Sequence, residues 1–228
     1  DGTEWTELPS TVTGTAASGS ITTNSSVYLG YSPSSANRYF ALGYKSIPKT
    51  YVPDDNLEAY LETHDASGNV VSVGDANSMG DGIANNDYVI TANISGVTNL
   101  NIYNQNISDL TGTEDFSALE NLNCQLNQLT TLDLSFNTAL TYLNCASNQL
   151  INLDLSQNNN LTEIYCDQNQ ISNINFNSNT NLSKLICSIN QLTSLDLSQH
   201  TNLIQLQCGS NLLSTIDVKV SSSLGSTS

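Results

Sequence analysis

Cys124, Cys145, Cys166, Cys187 and Cys208 stand 21 residues apart, and the chain has no other cysteine. Aligning on them brings the surrounding residues into register. Leu119, Leu140, Leu161, Leu182 and Leu203 lie five positions before, and Leu122, Leu143, Ile164, Leu185 and Leu206 two before. Leu129, Leu150, Ile171, Leu192 and Leu213 lie five after, Leu132, Leu153, Ile174, Leu195 and Ile216 eight after, and Leu134, Leu155, Phe176, Leu197 and Val218 ten after. No column breaks. An earlier unit places Val97, Leu100, Ile102, Ile107 and Leu110 in the same slots, with Ile102 at the cysteine position and a step of 22 to the next unit. Fixed apolar columns at a period of 20–50 residues are the sequence form of a solenoid. One coil cannot bury its inward side chains alone; stacked coils bury them against each other, about 1.5–3 kcal/mol for each leucine.

Two polar columns share the register. Asn127, Asn148, Asn169, Asn190 and Asn211 sit three after the cysteine, where the chain leaves the strand and must turn. An inward asparagine there pairs with backbone groups that neither sheet nor water satisfies. Asn137, Asn158 and Asn179, then His200, form the second column, which makes His200 a ladder residue. The cysteines read as small buried apolar side chains. A straight column of thiols cannot surround zinc tetrahedrally, and in-register strands hold neighbouring Cβ atoms about 4.8 Å apart, beyond the ~3.8 Å of a relaxed disulfide.

The unit L-x-x-L-x-C-x-x-N-x-L, as in "LTYLNCASNQL", resembles the leucine-rich repeat family. Because the second half, "LINLDLSQN", is another L-x-x-L-x-L-x-x-N, it is similar to a bacterial subclass with nested 21-residue repeats. The stretches "YVPDDNLEAYL" and "ANISGVTNLNIYNQNISDLTG" resemble the entry to such repeats in secreted and cell-surface proteins of Bacteroidetes-type bacteria. The resemblance covers about residues 93–220. It implies a mostly β, right-handed, curved solenoid of about six coils with a parallel strand in each, behind a short N-terminal helical cap and a small irregular or β segment.

Side chains alternate inward and outward along a strand, which gives two outward sets. In the second half of each coil Asp133, Asp154, Asn175, Asp196 and Asp217 recur, flanked by Ser135, Ser156, Asn177 and Ser198; this set is monotonous and reads as scaffold. The first half varies. Three before the cysteine come Asn121, Tyr142, Glu163, Lys184 and Gln205; one before come Asn123, Asn144, Tyr165, Ile186 and Gln207; one after come Gln125, Ala146, Asp167, Ser188 and Gly209. Positions released from the repeat's own demands are free to serve a partner. The candidate ligand-binding face is therefore Asn121, Asn123, Tyr142, Asn144, Glu163, Tyr165, Asp167, Lys184, Ile186, Gln205 and Gln207. Tyr142 and Tyr165 are its expected anchors, for a protein hot spot or for stacking on a sugar ring.

The domains expected are a Ser/Thr/Gly-rich β segment or linker over 1–47, a cap over 48–96, the solenoid over 97–220 and a tail over 221–228. "SVYLGY" and "RYFALGY" look like short strands. The cap opens with a helix over 54–64, with Asp55 as N-cap and Glu58 three on as in a capping box, and with Leu57, Tyr60 and Leu61 on one apolar face. His64 is expected at the helix C-terminus as a dipole partner. The acidic loop 65–87 is expected to form solvated turns. Its Asp65, Asp75, Asp81 and Asp87 are the calcium candidates, although the EF-hand spacing fails, with Met79 and Asn86 where ligands would stand. No other cofactor is expected.

The formal charge is −16, from 21 acidic and 5 basic residues, which argues against nucleic-acid and anionic-membrane partners. No apolar run is long enough to span a membrane. The catalytic signatures G-x-S-x-G, H-E-x-x-H and the phosphate-binding glycine loop are absent, and the two histidines are far apart in the chain, so no enzyme is expected. The reading is a bacterial secreted or cell-surface binding module for protein contact or adhesion; a glycan-binding protein and a passive spacer are its rivals. The last repeat carries no polar cap, so the chain is expected to continue, to dimerise through that end, or to fold its tail over it.

Overall fold

The structure is a computed structural model; it describes residues 47–176 and 178–218, together with the backbone of two earlier strands, β1 (Ser26–Tyr31) and β2 (Phe40–Lys45). The rest of 1–47, the position of Asn177 and the tail 221–228 lie outside the described residues. The chain divides into two units, Asp1–Pro48 and Lys49–Ser228. In the first, β1 and β2 pair antiparallel, with Ser26 opposite Lys45.

The second unit begins with β3 (Lys49–Tyr51), helix α1 (Asp55–Thr63), β4 (Tyr88–Ile90) and the short helix α2 (Thr91–Ile94). β3 and β4 pair antiparallel. The N-cap of α1 is Asp54 rather than Asp55: Asp54 Oδ1 accepts from the backbone N–H groups of Asn56 and Leu57. Its other oxygen, Oδ2, accepts from Ser108 N, Ser108 Oγ and Asp109 N in the first coil, so one carboxylate starts the helix and fastens it to the repeats. Leu57, Tyr60 and Leu61 are buried as their spacing requires. At the far end His64 Nδ1 donates to Tyr60 O, and its ring stacks on that of Tyr60. Gly112 sits at φ +101, and a Cβ there would run into the carbonyl of Tyr51 and the side chain of Val52; only glycine lets coil and cap approach this closely.

The coils follow. Each first half carries a three-residue strand: β5 (Asn99–Asn101), β6 (Asn121–Asn123), β7 (Tyr142–Asn144), then, beyond β8 (Asn152–Asp154), β9 (Glu163–Tyr165), and, beyond β10 (Asn173–Asn175), β11 (Lys184–Ile186). β12 (Ser194–Leu197), β13 (Gln205–Gln207) and β14 (Thr215–Val218) complete the series. The first-half strands form one parallel six-stranded sheet in the order β13-β11-β9-β7-β6-β5, in register column on column: Leu122 opposite Leu143, Leu143 opposite Ile164, Leu185 opposite Leu206. The second-half strands form two separate parallel pairs, β8 with β10 and β12 with β14. This is the mostly β solenoid of about six coils that the repeat predicts. One continuous apolar core runs from Val52 and Leu57 in the cap through every coil to Leu203.

Candidate functional site

The inside of each coil fixes what its outside can do. All five cysteines are free thiols; four are buried and Cys208, in the last coil, is half-buried. Burial pushes the thiols of Cys124 and Cys187 up to about 12, and those of Cys145 and Cys166 well above their usual value. They are neutral packing groups, and the thiolate that nucleophilic chemistry needs is suppressed.

Two residues after each cysteine the backbone turns left-handed, at Leu126, Ser147, Gln168, Ile189 and Ser210, with φ between 54° and 58°. That turn aims the next residue, asparagine, inward. Asn148 Nδ2 donates to Cys124 O one coil back at 3.0 Å and to Cys145 O at 3.1 Å, and Asn148 Oδ1 accepts from Leu129 N at 3.0 Å. Asn127, Asn169, Asn190 and Asn211 repeat the arrangement. On the opposite side of the coil Asn137, Asn158 and Asn179 are buried and donate to carbonyls of the coil behind; His200 continues the column through Nε2, which donates to Phe176 O. In this second ladder the Oδ1 atoms of the three asparagines and Nδ1 of His200 have no hydrogen-bond partner among the described residues. His200 also meets the Phe176 ring edge-on at 4.9 Å, so the larger imidazole and the larger phenyl replace Asn and Leu at the same place in the stack.

The varied columns lie outward on the six-stranded sheet, and the structure brings the predicted anchors together. The rings of Tyr142 and Tyr165 lie 5.6 Å apart, tilted by 46°. Tyr165 O–H donates to Glu163 Oε2 at 2.9 Å, Lys184 Nζ donates to the Tyr165 hydroxyl oxygen at 2.9 Å, and Lys184 Nζ lies 3.7 Å from Glu163 Oε2 and 5.4 Å from the centre of the Tyr165 ring. Chiefly through the bond to Tyr165, Lys184 is raised above its ordinary range and stays charged. Toward the cap the face turns to neutral amides: Asn123 Nδ2 donates to Asn101 Oδ1, and Asn144 Nδ2 to Gln125 Oε1. Asn121, Gln205 and Gln207 lie outward in the same columns, whereas Ile186 is only 9% exposed and belongs largely to the floor. Gln125 and Asn101 work with the candidate face though the candidate set omits them; the outward columns one after and one before the cysteine slot already carried the signal.

The uniform face is built differently. Asp133, Asp154 and Asp196 each accept from the backbone N–H two residues on, at Ser135, Ser156 and Ser198. That bond is the first cause holding all three carboxyls below the usual range.

The acidic loop is not uniformly solvated: Ser78, Met79 and Asp81 are buried. Helix α1 holds it with Glu58 and Glu62, one turn apart and both essentially unexposed. Glu58 accepts from Asn86 N and Asp87 N, and Glu62 from Asp81 N and Gly82 N. Burial raises the Glu62 carboxyl above its usual range against those bonds. The calcium candidates are not gathered. Asp65 and Asp75 accept bonds within their own turns, and Asp81 pairs with Lys49 at 2.7 Å. Among the described residues the one trio of carboxylates close enough for an ion is Asp55, Glu58 and Asp87, of which only Asp87 is in the candidate set. No helix among the described residues is long and apolar enough to cross a membrane.

No family model and no curated protein matches the chain. Among solved structures it is similar to the functional domain of InlJ from Listeria monocytogenes, described as including a cysteine ladder: 31% identity, TM-score 0.61, over 76% of this chain and 39% of that one. An internalin, InlF, from the same species matches at 19% identity and TM-score 0.48, over 74% of this chain and 63% of that one. A leucine-rich repeat protein of Leptospira interrogans matches at 22% and 0.44, over 55% and 40%. The chain thus spans about two fifths of the InlJ domain it resembles. The structural neighbours are bacterial leucine-rich repeat proteins, and the cysteine column seen here has a counterpart in one of them.

Proposed function

We propose that this chain is a non-enzymatic binding module, secreted by or displayed on a bacterium, that makes protein–protein contacts or adheres through the varied face of the six-stranded sheet. The observation that carries the reading is the contrast between the two outward faces. One is held uniform by aspartates that close their own turns. The other gathers Tyr142, Tyr165, Glu163 and Lys184 on a rigid sheet that does not depend on them. A tyrosine pair set among polar groups is the composition of a binding hot spot. A surface polar through amides and hydroxyls suits life outside the cell.

The glycan reading is less well supported by the geometry. Stacking on a sugar needs an open, flat aromatic face. Here the two rings are tilted by 46°, and Lys184 stands over one of them. Full-length protein and its Tyr142→Ala/Tyr165→Ala double variant, applied to an array of extracellular proteins and to a glycan array, separate the readings. Saturable protein binding lost in the double variant is the expected result. Saturable sugar binding lost in the same variant would transfer the face to glycans, and two blank arrays would leave a spacer.

A further inference from the structure

Lys49, Asp81 and Asn86 meet in the cap in more than an ion pair. Asp81 Oδ2 accepts from Lys49 Nζ at 2.7 Å and from Asn86 Nδ2 at 3.0 Å. One carboxylate oxygen thus holds an amine and a primary amide side by side. At the other end of that amide, Tyr88 N donates to Asn86 Oδ1 at 2.9 Å. The groups come from separate parts of the chain: β3 brings Lys49, the acidic loop brings Asp81, and Asn86 stands two residues before β4. The cap fixes each of them. β3 pairs with β4, Glu58 accepts from Asn86 N, Glu62 accepts from Asp81 N, and Asp81 Oδ1 accepts from Ile83 N. The Asp81 side chain is fully buried, whereas that of Lys49 is 38% exposed. Burial works to raise the Asp81 carboxyl, but the bonds from Lys49 and Asn86 outweigh it and hold the group below its usual range, ionised and able to take a proton.

We infer that Lys49 and Asn86 are a site of covalent modification, joined by an isopeptide bond that the protein forms on itself. The Asp81 carboxylate takes a proton from the Lys49 ammonium and leaves a neutral amine, the form that attacks a carbonyl. Nζ attacks Cγ of Asn86, and the Tyr88 N–H meets the negative charge that develops on Oδ1. Asp81 passes its proton to Nδ2, the Cγ–Nδ2 bond breaks, and ammonia leaves. The ammonia carries off the second proton of Nζ, so the products are a secondary amide and an ammonium ion. Nothing is oxidised or reduced, and Asp81 ends as it began. The partly exposed lysine gives the ammonia a way out. The bond closes a loop that contains α1 and the acidic segment, and so does for the cap what a disulfide does elsewhere, without thiols. It is independent of what the varied face binds.

The test is the intact mass and peptide map of full-length protein after incubation at about pH 9, where more of a lysine is uncharged. A species lighter by about 17 Da, the mass of ammonia, is expected. Its digest should contain a branched peptide with Lys49 Nζ joined to Asn86 Cγ, and trypsin should no longer cut after Lys49. Lys49→Arg keeps the charge beside Asp81 and should show neither the mass loss nor the branched peptide. Asp81→Asn should slow the mass loss at least tenfold, with the far-ultraviolet circular dichroism unchanged. A parent protein that keeps its full mass overturns the inference. So does a lighter species that trypsin still cuts after Lys49, because Asn86 has then closed on its own backbone. A cross-link that forms equally fast in Asp81→Asn overturns the part given to Asp81. The map of the parent decides the bond by itself, so a variant that fails to fold does not shelter it.

Discussion

Each coil has two halves that solve the same problem from opposite sides. In the first half the turn is fastened from within: Asn148 and its equivalents use both ends of the amide on buried backbone. In the second half the inner asparagine uses only its N–H groups, its oxygen has no partner among the described residues, and the turn is completed from without by Asp133, Asp154 and Asp196. The outer surface is therefore committed to structure throughout the second half, whereas in the first half only Asn123 and Asn144 accept the same backbone bond two residues on. That is why one face repeats and the other varies. The strands agree: a single six-stranded sheet on one side, two separate pairs on the other.

The most direct way to break this comparison is to remove the inner fasteners. Asn148→Ala orphans Leu129 N and takes from the carbonyls of Cys124 and Cys145 one of their two asparagine donors, and should cost about 2–3 kcal/mol in urea unfolding. Asn158→Ala loses two donated bonds, to Leu134 O and Asn137 O, and should cost about 1–2 kcal/mol. Equal losses at the two sites would refute the asymmetry. On the outside the order reverses: Asp133→Ala should cost about 1 kcal/mol, and Gln205→Ala should stay within about 0.5 kcal/mol of the parent.

Acid sharpens the same contrast. Asp133, Asp154 and Asp196 have lowered carboxyl values in the fold, chiefly through the serine N–H bonds. Their contribution is present at and above the unfolded value, about 3.9, and is lost as pH falls through the lower folded value. Hydrogen-exchange protection at Ser135, Ser156 and Ser198 should therefore fall below about pH 4, while the neutral asparagine ladder at Leu129 and Leu150 holds. The smallest expected effect is a gain. Ile189 is β-branched, half-exposed and held at φ +56, where the first coil has Asn104. Ile189→Asn should raise stability by about 1 kcal/mol in thermal unfolding.

The coils were legible because every inward column has the same neighbours in each turn, so Cys124 predicts the surroundings of Cys208. Tyr142, Glu163, Tyr165 and Lys184 were legible as departures from that monotony; that they close a bonded triangle was not, since it depends on side-chain reach across strands. The cap was legible only where local rules govern it, as in the burial of Leu57, Tyr60 and Leu61. Choosing between Asp54 and Asp55 as N-cap needed Ser108 and Asp109, more than fifty residues away. Glu58 and Glu62 look like solvent-facing helix residues in sequence; the backbone donors that bury them lie 19 to 29 positions further on. The break in the second-half sheet had a trace in Phe176 and His200, two departures from pattern that meet in space.

Every asparagine of the first ladder reaches back one turn and no further. A duplication or deletion of one 21-residue unit therefore leaves each remaining fastener with a partner of the same kind. The varied face can lengthen or shorten in whole quanta across generations without the fold being reinvented, and its chemistry can be retuned by substituting outward residues alone.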